Sequence, residues 1–248
     1  MAQIAVKHIT KRQPKNFGGL EGVLLFSKLS TEEMVCFHDA AQTLSCKKGK
    51  ILYLQGEPAK NFYVIYSGWI KLFHIMPEGE EVIVDMLTCN NIVGESAIFD
   101  HGCYTSSAQI VGDVHLLSMP LKLLKEQIHT NPKLAFNMLT SMSQHHRRQY
   151  GALAFNVMQT APQRIGCFLL SLCPADKERD ISFHLPYDKT LVADVLGMNG
   201  ATFSRSLNII RQKAGVNIKG TRVEIDSTDK LSKFVYGPFA NKYVHQEI

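Results

Sequence analysis

Leu191–Ile225 reads LVADVLGMNGATFSRSLNIIRQKAGVNIKGTRVEI, and the interpretation of the whole chain starts from this stretch. Its apolar spacing predicts two short helices around a tight turn, followed by a small β-hairpin. Between Val195 and Val223 the sequence has five basic residues and no acidic one. The five are Arg205, Arg211, Lys213, Lys219 and Arg222. A helix-turn-helix followed by a basic hairpin is suited to a groove of double-stranded DNA.

The composition is that of a folded chain. The 248 residues are 45% hydrophobic and 20% charged, with a net charge of +5. The longest apolar runs are far shorter than the roughly 20 residues of a membrane span, and the N-terminus shows no apolar signal segment. We therefore expect a cytoplasmic protein with no membrane partner. The six cysteines form no CxxC pair and no zinc-site spacing, which favours reduced structural thiols.

Changes of pattern along the chain predict four segments and an α+β fold class. Residues 1–22 are polar and basic and predict a flexible N-terminal arm. Residues 23–130 hold short strands punctuated by glycine, typical of an effector-sensing β-roll of jelly-roll type, a double-stranded β-helix. Residues 131–161 predict one long helix, started by Asn131-Pro132 and stopped before Pro162. Residues 162–248 predict a winged-helix DNA-binding domain.

The long predicted helix carries a seam with spacings of three and four residues. Its members are Leu139, Met142, His146, Tyr150 (or Gln149), Leu153 and Val157 (or Asn156). A helix of this length, about 40 Å at 1.5 Å per residue, extends beyond one roll. The simplest partner for an exposed seam is the same helix of a second chain, so the helix predicts a homodimer.

Roll, long helix and winged helix, in this order, resemble the CRP/FNR family of bacterial transcription regulators. The resemblance covers about residues 24–234. Its motifs are GEPAKNFYVIYSGWIKL (56–72), VGESAIFD (93–100), QRIGCFLLSL (163–172) and LVADVLGMNGATFSRSLNIIRQ (191–212). Within the family, the first hairpin and the phrase ATFSR are most similar to the Dnr-type branch that responds to nitric oxide. The resemblance implies a transcription regulator that binds palindromic DNA, contacts RNA polymerase and is switched by a small effector.

The resemblance also implies how DNA is read. Arg205 is expected to bond O6 and N7 of a guanine. Ser204 is expected to lie against a thymine, and Thr202 to bond a phosphate. The hairpin residues are expected to hold phosphates without reading sequence. The family usually carries Glu where this chain has Ala201, so we expect an altered or relaxed base preference there. The full set of expected DNA contacts is Thr202, Ser204, Arg205, Asn208, Lys219 and Arg222.

The predicted effector segment departs from the pattern of family members that bind cyclic AMP. Those members have a Gly-Glu pair and an Arg ten residues after the Glu. Here Gly94 and Glu95 are present, but the tenth residue is Thr105, followed by Ser106. A buried phosphate without a cationic partner costs several kcal/mol, so we expect an effector other than cyclic AMP. The expected pocket residues are Gly94, Glu95, Thr105, Ser106, Met142, His146 and Tyr150.

Haem with nitric oxide is the effector that the Dnr-type resemblance implies, while the sequence itself leaves the cofactor open. A haem needs an axial His, Cys or Met in an apolar pocket. The candidates are His146, His145 and His74, with Cys103 and His101 beside the pocket segment. An iron–sulfur sensor of the FNR type is disfavoured, because the first cysteines are Cys36 and Cys46 rather than an N-terminal cluster.

Two alternatives stay open at this point. One is a DNA-binding regulator that needs no effector. The other is a metalloenzyme of the cupin type, since cupins share the roll. The sequence has no HxH pair, and it also lacks GxSxG, HExxH and the phosphate-binding GxxxxGK[ST]. We therefore expect no catalytic residues and no enzyme activity.

Overall fold

The computed structural model describes residues 20–173, 179–185 and 187–237. Residues 1–19, most of the predicted arm, lie outside this description, as does the tail from 238. The contacts divide the chain into two units, one ending at His146 and the other starting at Arg147. Among the described helices, none is long and apolar enough to cross a membrane.

The first unit is a β-roll with helices at its two ends. Its elements are α1 (Thr31–Ala40), β1 (Gln42–Cys46), β2 (Ile51–Tyr53), β3 (Asn61–Ser67), β4 (Ile70–Ile75), β5 (Glu81–Leu87), β6 (Ile92–Val93), β7 (Ser107–Ile110), β8 (Val114–Pro120), α2 (Leu121–Thr130) and the first part of α3 (Pro132–Met158), a helix that continues past His146 into the second unit. The unit also has 3-10 turns at Leu20–Gly22, Leu24–Phe26 and Glu95–Ile98.

Two four-stranded antiparallel sheets form the roll. One has the order β1-β8-β3-β6 and the other β2-β7-β4-β5. β-Branched and aromatic side chains on their facing surfaces make one core, in which Phe62, Ile65 and Leu116 are fully buried. This arrangement confirms the jelly-roll-like domain predicted from the glycine-punctuated strands.

The described end of the segment predicted as an arm packs into the roll. Leu20 and Val23 are each 2% exposed and belong to the core of the roll. Asn137 of α3 holds this region in place, because its Nδ2 donates to the carbonyl oxygens of Leu25 (3.1 Å) and Ser27 (2.6 Å). The start of α3 is thereby attached to the chain that precedes α1.

The starts of α1 and α3 are explained by their caps. Ser30 and Glu33 form a reciprocal capping box at the start of α1. The Asn131 side chain accepts from the backbone N–H groups of Lys133 (3.0 Å) and Leu134 (3.2 Å) at the start of α3. These contacts satisfy N–H groups that have no partner inside the helix.

The second unit contains four helices and one small sheet. Its elements are α4 (Ala161–Ser171), β9 (Arg179–His184), α5 (Lys189–Val195), α6 (Gly200–Ala214), β10 (Val216–Lys219), β11 (Arg222–Ser227) and α7 (Thr228–Tyr236). The strands pair antiparallel in the order β10-β11-β9. Helices α5 and α6 form the predicted helix-turn-helix, and the hairpin β10-β11 follows it.

Some elements have no sequence prediction. The strands β1, β6 and β7 lie outside the runs of β-branched and aromatic residues that predict the other strands. Two of them are too short for a periodic pattern, since β6 has two residues and β7 four. β6 is formed by pairing with β3, and β7 is formed by pairing with β2 and β4. These partner strands are distant in sequence.

Candidate DNA interface and effector pocket

The capping residues of α6 define where the candidate DNA-reading helix begins and ends. Asn199 precedes the helix, and its Oδ1 accepts from the backbone N–H of Thr202 at 2.8 Å. Gly215 ends the helix in the left-handed region, at φ 67°. A Cβ at this position would also collide with the carboxylate of Asp226. Only glycine fits there, and the chain turns directly into β10.

One face of α6 is packed and the opposite face is open. Phe203, Ile210 and Ala214 are buried in the second unit. Ser204, Arg205 and Asn208 are all exposed. These spacings of three and four residues place polar groups along a single side of the helix. Thr202 is half-buried in the first turn, beside the cap rather than at the centre of the open face.

Two arginines of α6 are oriented by contacts within the helix. The Nε of Arg205 donates to the carbonyl oxygen of Ala201 at 3.3 Å, one turn earlier. The Nη2 of Arg211 donates to Oδ1 of Asn208 at 3.1 Å. Both arginines remain exposed, so their other N–H groups are available to a ligand outside the helix.

The hairpin places its two expected phosphate contacts opposite each other. Lys219 and Arg222 are paired across the β10-β11 ladder, and both are exposed. Arg222 is also in an ion pair, with 3.0 Å between its Nε and Oε1 of Glu224. Glu224 lies just beyond the acid-free stretch of sequence, and this ion pair partly neutralises the charge of Arg222.

A groove of about 390 Å³ runs between α5, α6 and β10. Ser204, Asn208 and Arg211 contribute to one wall and Lys189 to another. The Nζ of Lys189 donates to the carbonyl oxygen of Ile218 at 3.1 Å, which ties α5 to the hairpin. Lys189 and Arg211 were not among the predicted DNA contacts. Their basic character was visible in the sequence, but their convergence on this groove depends on how β10 packs.

In the first unit, the predicted effector segment starts at a glycine that the fold requires. Gly94 has φ 84°, and a Cβ added there would come within 2.8 Å of Cε1 of Tyr104. The 3-10 turn Glu95–Ile98 follows directly. Ser96 Oγ lies 3.2 Å from Oγ1 of Thr105, so the turn and the segment that leads into β7 are joined by a hydroxyl pair.

Glu95 is the titratable group of this cluster. Burial raises the pKa of its carboxyl to about 7, and a hydrogen bond from its own backbone N–H opposes the shift in part. Ser106, which directly precedes β7, is only 7% exposed. The structure thus brings Gly94, Glu95, Thr105 and Ser106 into one part of the roll, with a carboxyl that changes charge near neutral pH.

Three tyrosines next to this cluster were missed by the sequence analysis. The rings of Tyr53 and Tyr104 stack with centroids 3.7 Å apart, and Tyr63 lies 6.2 Å from Tyr53. The Tyr104 hydroxyl donates to the carbonyl oxygen of Asn61 at 2.7 Å. The pKa of Tyr53 is raised well above its ordinary value, first by burial and then by the nearby charge of Glu95. Only their aromatic character could have signalled them.

The described pocket residues on α3 lie on an exposed part of that helix. Met142 is 44% exposed, and His146 is exposed as well. The side chain of Tyr150 is outside the described part of the structure. Phe136 and Leu139 are 70% and 65% exposed, so the open apolar face of α3 begins one turn earlier than the predicted seam.

The candidate haem ligands do not fit a haem pocket. His74 is only half-buried, and its Nδ1 lies 3.0 Å from Oε1 of Gln55. The Nδ1 of His145 lies 3.3 Å from Oδ2 of Asp85, and its side chain is 35% exposed. A haem requires an axial ligand inside an apolar cavity. These histidines lie near the surface, whereas the tyrosine stack fills the neighbouring interior of the roll. In the described residues, no group of three or more metal-binding side chains converges either.

Comparison with known proteins gives the same architecture. Residues 43–131 match the cyclic nucleotide-binding domain family. The CRP-like cAMP-activated global transcriptional regulator of Mycobacterium tuberculosis is 24% identical over 84% of this chain and 95% of its own length. The transcriptional activator protein Anr of Pseudomonas aeruginosa is 29% identical over 77% of this chain and 79% of its own.

Solved structures agree with these relatives. A Ruegeria pomeroyi protein named for cyclic nucleotide binding has a TM-score of 0.64 and 29% identity, covering 87% of this chain and 95% of that one. The sensor domain of DNR from Pseudomonas aeruginosa is 30% identical over 52% of this chain and 87% of that one. Its TM-score is 0.47. The relatives are transcription regulators, which are not enzymes, and the predicted resemblance to the CRP/FNR family is confirmed.

Proposed function

We propose that this member of the CRP/FNR family is a homodimeric transcription regulator that binds a palindromic DNA site through α6. The observation that carries the proposal is the open face of α6, where Ser204, Arg205 and Asn208 are exposed on a capped helix of a helix-turn-helix. A second helix of this kind enters the major groove with its N-terminal residues against the base edges.

The chemistry of these polar groups of α6 and the hairpin supports a role for each in binding DNA. The Arg205 guanidinium matches the paired O6 and N7 acceptors of guanine. Ser204 can donate to or accept from a neighbouring base edge. Lys219 at the tip of the hairpin, and more weakly the ion-paired Arg222, bind backbone phosphates and position the helix without reading sequence. Thr202 lies beside the cap, where a phosphate can approach the helix start.

The apolar face of α3 supports dimer formation. Phe136, Leu139 and Met142 recur every three residues and are strongly exposed in the single chain. On the adjoining face of the same helix, Leu134 and Met138 are buried against the roll. A second copy of α3 is the partner we propose for the exposed face, which gives the two α6 helices the two-fold symmetry that a palindrome requires.

The dimer is tested by charging this face. Leu139→Lys is expected to weaken dimerisation at least tenfold, since it buries a charge at the contact. Gln144→Lys introduces the same side chain at an exposed polar position of α3 and serves as the control. Sedimentation equilibrium distinguishes the two variants. A Leu139→Lys protein that remains as dimeric as the control would remove this part of the proposal.

We further propose that a small effector at the Gly94–Thr105 cluster of the roll sets the DNA affinity, and that it is not cyclic AMP. The carboxyl of Glu95 and the hydroxyls of Ser96 and Thr105 offer hydrogen bonds, while the position of the phosphate-binding arginine holds Thr105. An effector that binds the two states of the dimer unequally shifts their populations by its difference in affinity. Calorimetric titration with cyclic AMP is expected to show no binding; saturable binding would contradict this proposal.

Two further features belong to the proposal. CRP/FNR regulators act with RNA polymerase, and we extend this partner to the present chain. We also propose that it works in the cytoplasm, where its DNA target lies. The proposed switch does not invoke haem, because His74 and His145 lie near the surface beside polar side chains rather than in an apolar pocket.

Selection from a pool of random duplexes tests the function as a whole. The full-length protein is expected to enrich a palindrome whose half-sites are about 10 base pairs apart, each containing a guanine. A pool that stays random after repeated selection, with the protein folded and dimeric, would overturn the proposed function.

A further inference from the structure

We propose that Ala201 makes α6 select a thymine, through the 5-methyl group of that base, next to the guanine read by Arg205. The inference rests on the DNA-binding function proposed above and adds a specificity-determining residue to it. Its basis is the arrangement of the first two turns of α6.

Ala201 and Arg205 share one face of the helix. They are four residues apart, and both are exposed. The bond from Arg205 Nε to the Ala201 carbonyl oxygen, 3.3 Å long, directs the arginine side chain back along the helix toward Ala201. The guanidinium and the Ala201 methyl group therefore face the same stretch of the major groove, within about one helical turn of 5.4 Å.

The Ala201 side chain offers a bound duplex only an apolar contact. Asn199 cannot compete for the same base edge with its Oδ1, because that atom accepts from Thr202 N–H as the cap. Gly200 has no side chain, and a Cβ there would meet open space, so packing does not explain the glycine. On the face of α6 that carries Arg205, the first turn thus presents the methyl group of Ala201.

The major groove has one apolar group that this methyl can recognise. Guanine, cytosine and adenine present hydrogen-bond donors and acceptors there, whereas thymine adds its C5-methyl group, and alanine is among the side chains that contact it. A carboxylate at the same position would instead accept from the amino group of cytosine. Ala201 therefore favours thymine over cytosine at the position next to the guanine that Arg205 reads.

Replacement of thymine by uracil removes the methyl group and nothing else from the base. Duplexes selected by the wild-type protein would be resynthesised with uracil at each thymine beside the selected guanine. We expect an affinity loss of about fourfold per half-site at one such position, the factor for about 0.8 kcal/mol per buried methyl-sized group. Fluorescence anisotropy with labelled duplexes measures it.

Variants of Ala201 assign the effect to this residue. Ala201→Gly is expected to bind the thymine and uracil duplexes equally while still selecting the guanine. Ala201→Glu is expected to select cytosine in place of thymine at the same position. Gln212→Ala, a change at an exposed residue of the last turn of α6, is the control and should keep the wild-type ratio of thymine to uracil affinity.

The outcomes separate this inference from the function on which it rests. A protein that enriches an Arg205-dependent guanine, but binds thymine and uracil duplexes equally at every neighbouring position, overturns the role of Ala201 alone. The same holds if Ala201→Gly retains the full preference for thymine. A protein that enriches no sequence at all overturns the proposed function as well.

Discussion

The outward face of α6 and the interior of the β-roll hold their polar groups in opposite ways. On α6, Arg205 and Asn208 are exposed and take part in hydrogen bonds within their own helix. In the roll, Tyr53 is buried and Glu95 is half-buried, and desolvation raises the pKa of both groups. A surface of the first kind is ready to bind a partner without rearrangement, whereas a group of the second kind responds to a change in its surroundings.

This difference separates the residues that are proposed to read DNA from the residues that are proposed to control the switch. Changes on the α6 face should alter DNA affinity and leave the stability of the chain nearly unchanged, because surface substitutions are usually within about 0.5 kcal/mol. Changes in the roll should alter stability and its pH dependence, because the groups there are desolvated. Changes to the DNA, to Glu95 and to Gly94 test this separation, in order of decreasing effect.

The spacing of the DNA half-sites should have the strongest influence. Insertion of five base pairs between the half-sites turns one of them to the opposite side of the duplex, so the two α6 helices cannot bind together. We expect a loss of roughly 100-fold or more in affinity. An insertion of ten base pairs restores the rotational phase and is the matched control, although it lengthens the span. Equal affinity for the original and the five-base-pair duplex would break the assignment of α6 as one of two paired readers.

The carboxyl of Glu95 should make stability depend on pH. Its pKa in the folded chain is about 7, above the ordinary 4.5, so the folded state binds more protons between these values. The free energy of unfolding therefore falls as pH rises through this window, by about 3 kcal/mol at most. Urea unfolding at pH 5 and pH 8 measures it for the wild type and for Glu95→Gln.

In Glu95→Gln the pH-dependent part should disappear, so the variant gains stability relative to the wild type at pH 8. Glu78→Gln, at an exposed turn residue, should follow the wild-type curve. If Glu95→Gln also follows the wild-type curve, then Glu95 is not the buried titrating group that distinguishes the roll from α6.

Substitution of Gly94 should have the weakest of these effects, and substitution of Gly79 provides a closely matched control. Gly94→Ala imposes left-handed strain at φ 84° and also pushes a Cβ against Tyr104. Gly79→Ala imposes nearly the same strain at φ 87°, but its Cβ would meet open space. We expect both variants to lose about 1 kcal/mol from the backbone, and Gly94→Ala to lose about 1–2 kcal/mol more from the displaced tyrosine stack. Thermal unfolding that shows equal losses would argue against close packing around the effector segment.

The two regions also differ in how far the sequence predicts them. The helix-turn-helix depends on local patterns, so the cap at Asn199, the break at Gly215 and the exposed Arg205 follow from spacings within one helix. The roll cluster depends on strands that meet across the fold. Tyr53 and Tyr104 are 51 positions apart and stack only because β2 and β7 are neighbours. Single-sequence periodicity carries no information about such a contact.

An ion pair in the hairpin shows a second limit of prediction from the sequence. Arg222 was predicted to hold a phosphate, and the acid-free stretch that contains it ends at Val223. Its partner Glu224 is two residues away on the same strand, where alternate side chains share a face. The alternation of side chains along β11 predicts this ion pair, whereas a count of charges cannot.

The DNA affinity of Arg205→Ala decides whether α6 reads base sequence. Anisotropy would compare the selected duplex with a scrambled duplex of equal length, and Lys213→Ala, at an exposed residue of the same helix, is the control. We expect Arg205→Ala to lose at least about 30-fold on the selected duplex, from two bidentate contacts of about 1–3 kcal/mol each. We expect little change on the scrambled duplex, where phosphate contacts dominate. An equal loss on both duplexes would contradict sequence reading by α6 through Arg205.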